Sequence, residues 1–461
     1  MKTSILAVVA LVVVIVDSVT TIHAAELGTA PKPNILVIVS DDQGYADVGF
    51  QGCQDIPTPH LDQLAREGLH CTNGYVSHPF CSPTRAGLMT GRYQHRFGHQ
   101  LNPYYNPEDH KEGLPMTEKL LPEYLGKAGY TTGWIGKWHL GAAPEFRPEN
   151  RGFAETFGFI GGGHKYFNWQ VNVRSEYTVP IERNGKPEEV TEHLTTAFGK
   201  EAAAFVTRHK SEPWFLYLAF NAPHQPHEPT KERLERFASI ENGVRRAYAA
   251  QISLMDDAIG EALDALRSSA QEKNTLVFFF SDNGGPIKEG KTNGSNNSPL
   301  HGGKGDVYEG GMRVPFVVKW PAKLPAGKTY DLPVCSLDVF ATSLAVAGAA
   351  MPTDQKYDTV NLIPYLSGGK KETPHDRLFW RVGPSASVRE GDIKLVQPNR
   401  NESALYNLKS DIGETTDIQS AYTAKAGSLA ADLAAWDKEM VPPAFPGATA
   451  YEKPNKAKKS D

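Results

Sequence analysis

The chain has 461 residues, 40% of them hydrophobic and 22% charged, with a formal net charge of −5. That suffices for a large core and more than one domain of ordinary size, and the absence of a long basic run argues against a nucleic-acid footprint. At the N-terminus, Lys2 precedes the apolar run Ile5–Val16, which Asp17 ends. Small residues follow, with cleavage expected after Ala24 or Ala25, so residues 1–25 read as an export signal. The run is short of the roughly 20 residues a spanning helix needs, and no later segment is long and apolar enough to cross a membrane. The expected mature protein is periplasmic or secreted, with no membrane span. Four cysteines, Cys53, Cys71, Cys81 and Cys335, are too few for a disulfide scaffold. Cys53 and Cys71 are near enough in sequence to pair across a short helix, leaving Cys81 and Cys335 single.

Asn34–Val39 (NILVIV) has the continuous β-branched character of a strand buried on both faces. The stretch TPHLDQLAREG reads as a helix that Thr58 or Pro59 opens and Gly68 closes. A helix over Leu120–Lys127 precedes a strand at Thr131–Ile135, and Trp214–Phe220 (WFLYLAF) is another buried strand. Tyr248, Ile252, Met255, Ile259, Leu263 and Leu266 recur at steps of three and four, which predicts a long amphipathic helix. Strands follow at Thr275–Phe280 and Val314–Trp320. This alternation predicts an α/β fold: a large, mainly parallel sheet sandwiched by helices over residues 26–370. From 371 to 440 the texture changes to short strands separated by turns, with a closing helix at Leu429–Met440, which predicts a small antiparallel C-terminal subdomain. Residues 441–461 are rich in Pro and Lys and read as a frayed tail. The Gly-, Asn- and Ser-rich stretch 285–298 reads as a mobile loop.

In parallel α/β sheets, ligands collect beyond the carboxyl ends of the strands. Two of the core strands end in acidic loops, Ser40-Asp41-Asp42 and Ser281-Asp282-Asn283. Turn chemistry accounts for one such pair. Two pairs, offering three carboxylates and an amide oxygen, suit a hard cation such as Ca²⁺ or Mg²⁺. Cys81 opens the short helical pattern SPTRAGLMTG, and a helix N-terminus favours an anion. Read singly, Cys81 is a small buried hydrophobe, Arg85 a salt-bridge partner, Lys137 and Lys304 solvated amines, and His139, His224 and His227 structural histidines.

The motifs together resemble a known family. CSPTRAGLMTG (81–91) is similar to the first signature of the type I sulfatases, and GYTTGWIGKWHLG (129–141) to the second. NILVIVSDDQG, FFFSDNGG and HGGKGDVYEGGMRVPFVVKWP match further blocks in the family's order, from about Pro33 to Trp320. Pro79-Phe80 before Cys81 departs slightly from the pattern, where small residues are common. The resemblance implies an alkaline-phosphatase-like fold, mixed but mainly parallel, and hydrolysis of sulfate monoesters. It implies that a formylglycine-generating maturation enzyme oxidises Cys81 to formylglycine, whose hydrate is the nucleophile. It implies that Asp41, Asp42, Asp282 and Asn283, with residue 81, hold a Ca²⁺, with Mg²⁺ the alternative. Arg85 and Lys137 would hold the hydrate, His139 would act as base, and His224 and Lys304 would grip the sulfate and assist the leaving oxygen.

The stretch NRGFAETFGFIGGGHKYFNW (150–169) resembles the block lining the pocket mouth of secreted carbohydrate sulfatases. It implies substrate contacts from His164 and Lys165 and a sulfated saccharide as substrate. Tyr166, Phe167 and Trp169 are either sugar-stacking rings or core. Two rival readings remain at the level of sequence: a phosphomonoester or phosphonate hydrolase of the same superfamily, and a sulfated-glycan binder without turnover.

Overall fold

A computed structural model describes residues 31–167, 176–287 and 292–447; the expected export signal and Trp169 lie outside them. The core strands are β1 (Asn34–Ser40), β2 (Thr131–Lys137), β3 (Glu155–Phe159), β4 (Trp214–Ala219), β5 (Thr275–Ser281) and β6 (Phe316–Lys319). Among the described residues they belong to a ten-stranded sheet. Its order is Lys328–Tyr330, Leu69–Cys71, β6, β5, β1, β4, β2, β3, Glu182–Arg183, Lys186–Pro187. β1 is parallel to β4 and β5, and β2 is parallel to β4 and β3. β6 runs antiparallel to β5, so the sheet is mixed but parallel at its centre.

The unbroken apolar runs follow from burial on both faces. Along β1, Ile35, Val37 and Val39 enter one core while Leu36 and Ile38 enter the other. β5 divides in the same way, Phe278 and Phe280 to one face and Val277 and Phe279 to the other. Helices cover both faces: α1 (Pro59–Glu67), α2 (Cys81–Thr90), α3 (Leu194–Arg208) and α4 (Gly243–Ser268). The six residues that mark the α4 stripe are all buried, and each full burial contributes roughly 1.5–3 kcal/mol.

Several boundaries differ from the sequence reading. β2 runs two residues past Ile135 because β3 continues the pairing to Lys137 opposite Phe159. β3 and α3 were not foreseen. The four cysteines are free thiols, and Cys71 is buried in a sheet strand, so no bridge joins it to Cys53. The stretch 292–297 is tied down: Asn297 Oδ1 accepts from Tyr45 N and Gly285 N, and Asn293 Nδ2 donates to Asp42 O. The segment from 441 is also anchored over its described part, with Val441 N donating to His95 O, Ala444 N to Gly98 O, and Phe445 buried.

The four antiparallel strands Leu378–Val382, Ser385–Glu390, Ile393–Asn399 and Glu402–Asn407, with α5 (Thr423–Lys438), match the expected C-terminal layer. They belong to the same compact unit as the main sheet and share its core. His375 helps join them. Its Nε2 lies 2.8 and 2.9 Å from the two oxygens of buried Asp338. Burial would lower the His375 pKa, but Asp338 outweighs it and holds the imidazole above its usual range. The protonated form is therefore favoured by folding, with its contribution full below about 6.5 and lost as pH rises through the raised value. Hydrogen bonds to charged groups contribute about 1.5–3 kcal/mol. His375→Gln is expected to lower stability by that order at pH 6 and distinctly less at pH 9, read by thermal unfolding at both pH values.

Candidate active site

Because β1, β2, β4 and β5 are parallel, their carboxyl ends open on one edge, and the polar residues after them converge there. Asp41 and Asp42 follow β1, Asp282 and Asn283 follow β5, Lys137 ends β2 with His139 just beyond, and His224 follows β4. Cys81 is the first residue of α2, at the positive end of its dipole.

One ligand atom each from Asp41, Asp42, Cys81 and Asp282 lies within 4.8 Å of all the others. Ligand atoms this close can share one ion, and three carboxylates suit a hard cation. Asn283 turns its Nδ2 to Asp42 Oδ1 at 2.7 Å, and its buried Oδ1 has no hydrogen-bond partner. An orphaned oxygen beside three buried carboxylates is what a hard cation satisfies. Asp42 holds a left-handed backbone, φ 63°, which turns the chain at this corner. Gly284 passes so close to the turn at 310 that a Cβ would sit 1.7 Å from the Gly310 carbonyl oxygen.

Cations interleave with the acids. Arg85 donates from Nε and Nη2 to Asp282 Oδ2 at 3.0 and 2.7 Å, and from Nη1 to Tyr217 Oη at 3.3 Å. Lys137 Nζ donates to Asp41 Oδ2 at 2.6 Å. Lys304 Nζ lies 2.6 Å from Asp42 Oδ1 and 3.3 Å from Cys81 Sγ. His224 Nε2 lies 3.6 Å from Asp42 Oδ2. Burial would raise the Asp41 carboxyl, but Lys137, His224, Arg85 and Lys304 hold it below the usual carboxylate range. Burial would lower Lys304, but Asp42, Cys81 and Asp41 raise it, so it stays charged. Three carboxylates against three permanent cations leave the hole near neutral, and a divalent cation would make it attractive to an anion.

Burial, with Asp282 and Asp41 adding to it, pushes the Cys81 thiol well up. A reactive cysteine needs the opposite shift, so the unmodified thiol is a poor nucleophile. Burial and then Lys137 and Arg85 push His139 far down, which keeps its imidazole neutral.

The pocket-mouth residues divide. His164 is buried, with Nδ1 2.6 Å from Lys165 O and Nε2 2.9 Å from Val179 O. Both nitrogens face main-chain carbonyls, so the imidazole has no free edge for the substrate contact expected of it. Lys165 is exposed. Tyr166 is fully buried, stacks on His193, and donates towards Asn221 O and His224 O at 2.9 and 2.8 Å. It is a brace for the His224 loop and not a sugar platform. His227 accordingly turns inward, its Nε2 3.0 Å from Pro223 O.

Some participants escaped the sequence reading. Tyr217 lies within an apolar strand, where a buried hydroxyl calls for a partner, and Arg85 is that partner. Glu176 accepts from Gly162 N at 2.5 Å, beside His139. Nothing in the sequence near Glu176 marks it.

Comparison with known proteins identifies the family. The sulfatase family model matches residues 33–349. The chain is 38% identical over 362 residues to N-acetylgalactosamine-6-sulfatase of Homo sapiens, covering 74% of this chain and 67% of that protein. It is 32% identical over 424 residues to the uncharacterized sulfatase YdeN of Escherichia coli (strain K12), covering 80% and 72%. Among solved structures, Ps i-CgsB in complex with k-i-k-neocarrahexaose superposes with a TM-score of 0.86 at 38% identity, covering 91% of this chain and 95% of that one. The chain belongs to the sulfatase family and is a sulfuric ester hydrolase. Among the described residues no helix is long and apolar enough to cross a membrane.

Proposed function

We propose that this sulfatase removes sulfate from sulfated carbohydrates, using a formylglycine made from Cys81 and a Ca²⁺ held by Asp41, Asp42, Asp282, Asn283 and residue 81. The observation that carries the reading is the convergence of those groups with Arg85, Lys137 and Lys304 on the buried start of α2. An N-acetylgalactosamine-6-sulfatase among the relatives and a neighbour crystallised with neocarrahexaose support the saccharide class. Export, with residues 1–25 removed and a maturation enzyme acting on residue 81, completes the proposal.

Calcium would supply a Lewis acid for the sulfate oxygens, and its requirement for several oxygen ligands suits this set better than the tighter, water-retaining shell of Mg²⁺. Formylglycine hydrate would supply one hydroxyl for attack at sulfur and a second whose deprotonation releases sulfate. The remaining work belongs to the chain itself. Arg85 and Lys137 fix Asp282 and Asp41 and place positive charge beneath residue 81. Lys304, reaching both residue 81 and Asp42, binds the ester anion and stabilises charge that grows on its oxygens. His139 accepts the proton that release of sulfate requires, and His224 assists the leaving oxygen.

The mass of the tryptic peptide holding Cys81, with kcat/KM on sulfate and phosphate esters of one phenol, tests the proposal. An alkylatable thiol in active enzyme, or a preference for phosphate, would overturn it. Lys304→Ala is expected to lower kcat/KM by about 10- to 100-fold, the value of one charge-assisted hydrogen bond, chiefly through KM. Steady-state kinetics and thermal unfolding check this; a large drop in Tm with unchanged kinetics would make Lys304 structural.

A further inference from the structure

Immediately beside the nucleophile position lies a buried pair that the reaction described above does not use. Ser82, the second residue of α2, is fully buried. Its Oγ lies 2.5 Å from the main-chain carbonyl oxygen of His139 and 2.6 Å from His99 Nε2. A carbonyl only accepts, and a serine hydroxyl has one proton. Ser82 therefore donates to His139 O, and His99 Nε2–H donates to Ser82 Oγ. His99 is itself fully buried and wedged edge-on against Phe445, with ring centroids 5.1 Å apart. Asn102 adds a further tie through its Oδ1, which accepts from Ser82 N at 3.1 Å.

The target of this chain of bonds is unusual. His139 has φ 61°, a left-handed backbone that is strained for a residue with a Cβ. The conformation persists because both sides of the residue are pinned: its N–H donates to Ile160 O at 3.0 Å, and its carbonyl accepts from Ser82. The left-handed turn redirects the chain at the end of β2, so that Lys137 and His139 both serve the site. One hydroxyl thus links the first turn of the nucleophile helix to the loop bearing the base.

We propose that Ser82 and His99 form a positioning pair that holds His139 in register with residue 81. This rests on the reading of His139 as the base and residue 81 as the nucleophile. Misplacing a reacting group by about 1 Å costs on the order of 10²-fold. The pair acts on the geometry of the chemical step and does not touch substrate.

The test uses the full-length enzyme and an aryl sulfate, with kcat counted per molecule carrying modified residue 81, because Ser82 lies within the stretch the maturation enzyme reads. Ser82→Ala and His99→Phe are each expected to lower kcat at least about 10-fold while KM changes less than about 3-fold. His99→Gln, whose amide nitrogen can replace Nε2–H, is expected to restore most of what His99→Phe loses. In a His139→Ala background, adding Ser82→Ala is expected to cost little more, since the two act as one unit. Unchanged kcat in Ser82→Ala or His99→Phe, or costs that simply add to that of His139→Ala, would overturn the pair. If Ser82→Ala does not fold or is not modified, the two His99 variants decide alone. Near-normal turnover in His139→Ala would instead overturn the role of His139, and the inference with it.

Discussion

Cys81→Ala is expected to leave a folded protein whose turnover of sulfate esters falls by at least about 10⁴-fold, as loss of a covalent nucleophile does in other hydrolases. The two halves of this result have separate causes. The fold survives because the side chain's recorded polar contacts are few: Sγ to Asp41 Oδ1 at 3.4 Å and Lys304 Nζ at 3.3 Å. Alanine keeps the Cβ and suits the helix start, and without residue 81 Arg85 still pairs with Asp282 and Asp41, and Lys137 with Asp41. Turnover is lost because the other hydroxyls in the first turn of α2 are committed, that of Ser82 to His139 and His99 and that of Thr84 to His78 O. Cys81→Ser sharpens the test. A serine offers one oxygen for attack and lacks the second hydroxyl that would expel sulfate, so at most a single-turnover burst is expected. Rapid-quench measurement of product per enzyme separates this from slow steady turnover. Wild-type-like activity in either variant would remove position 81 from the chemistry.

The sequence shows the site more clearly than it shows the fold around it, and the reasons are physical. Asp41, Asp42, Asp282 and Asn283 are legible because carboxylates at the ends of apolar strands are conspicuous, and parallel strands must deliver their ends to one edge. Cys81, Arg85, Lys137 and Lys304 gain meaning only through the family signatures; each alone has an ordinary structural reading. β3 and α3 escape a sequence reading because Gly158 weakens the strand signal of the five-residue Glu155–Phe159 and because α3 is rich in alanine, which leaves its apolar face poorly marked. The stretch 292–297 looked mobile by composition, yet its asparagines serve as ligands for backbone groups near the site. The cluster around His164 and Tyr166 is open in sequence between a binding surface and core, because the main-chain carbonyls that occupy both side chains leave no local pattern. Ser82 and His99 are separated in sequence, and no local pattern links a serine to a main-chain carbonyl beyond a strand.

Lys394→Ala is expected to destabilise the protein by about 3–5 kcal/mol, the cost of stripping the counter-charge from a buried ionic group. Lys394 is fully buried on the C-terminal strand Ile393–Asn399, with Nζ 2.8 Å from both Glu309 Oε1 and Glu414 Oε1. Glu309 is also fully buried and accepts from Tyr75 Oη and Arg313. Burial would raise the Glu309 carboxyl, but Lys394, Arg313 and Arg389 hold it down to about 2. Burial raises its neighbour Glu414, against the pull of Lys394. Without the ammonium, Glu309 keeps Arg313 and Arg389 while Glu414 loses the cation that lowers it, so both folded pKa values rise and that of Glu414 moves further above the unfolded value of about 4.3. The folded variant then binds more protons than the unfolded chain, so its stability falls as pH rises through those raised values. The difference from wild type should therefore be larger at pH 8 than at pH 5, where a proton can replace the lysine. Denaturant unfolding at the two pH values measures it; an equal loss at both would assign Lys394 a packing role. The effect should also reach the active site. Glu309 opens the turn whose Gly311 carbonyl accepts from Gly284 N at 3.0 Å, next to Asn283. The C-terminal sheet, far in sequence from the catalytic motifs, thereby supports one of the loops that holds the carboxylate cluster.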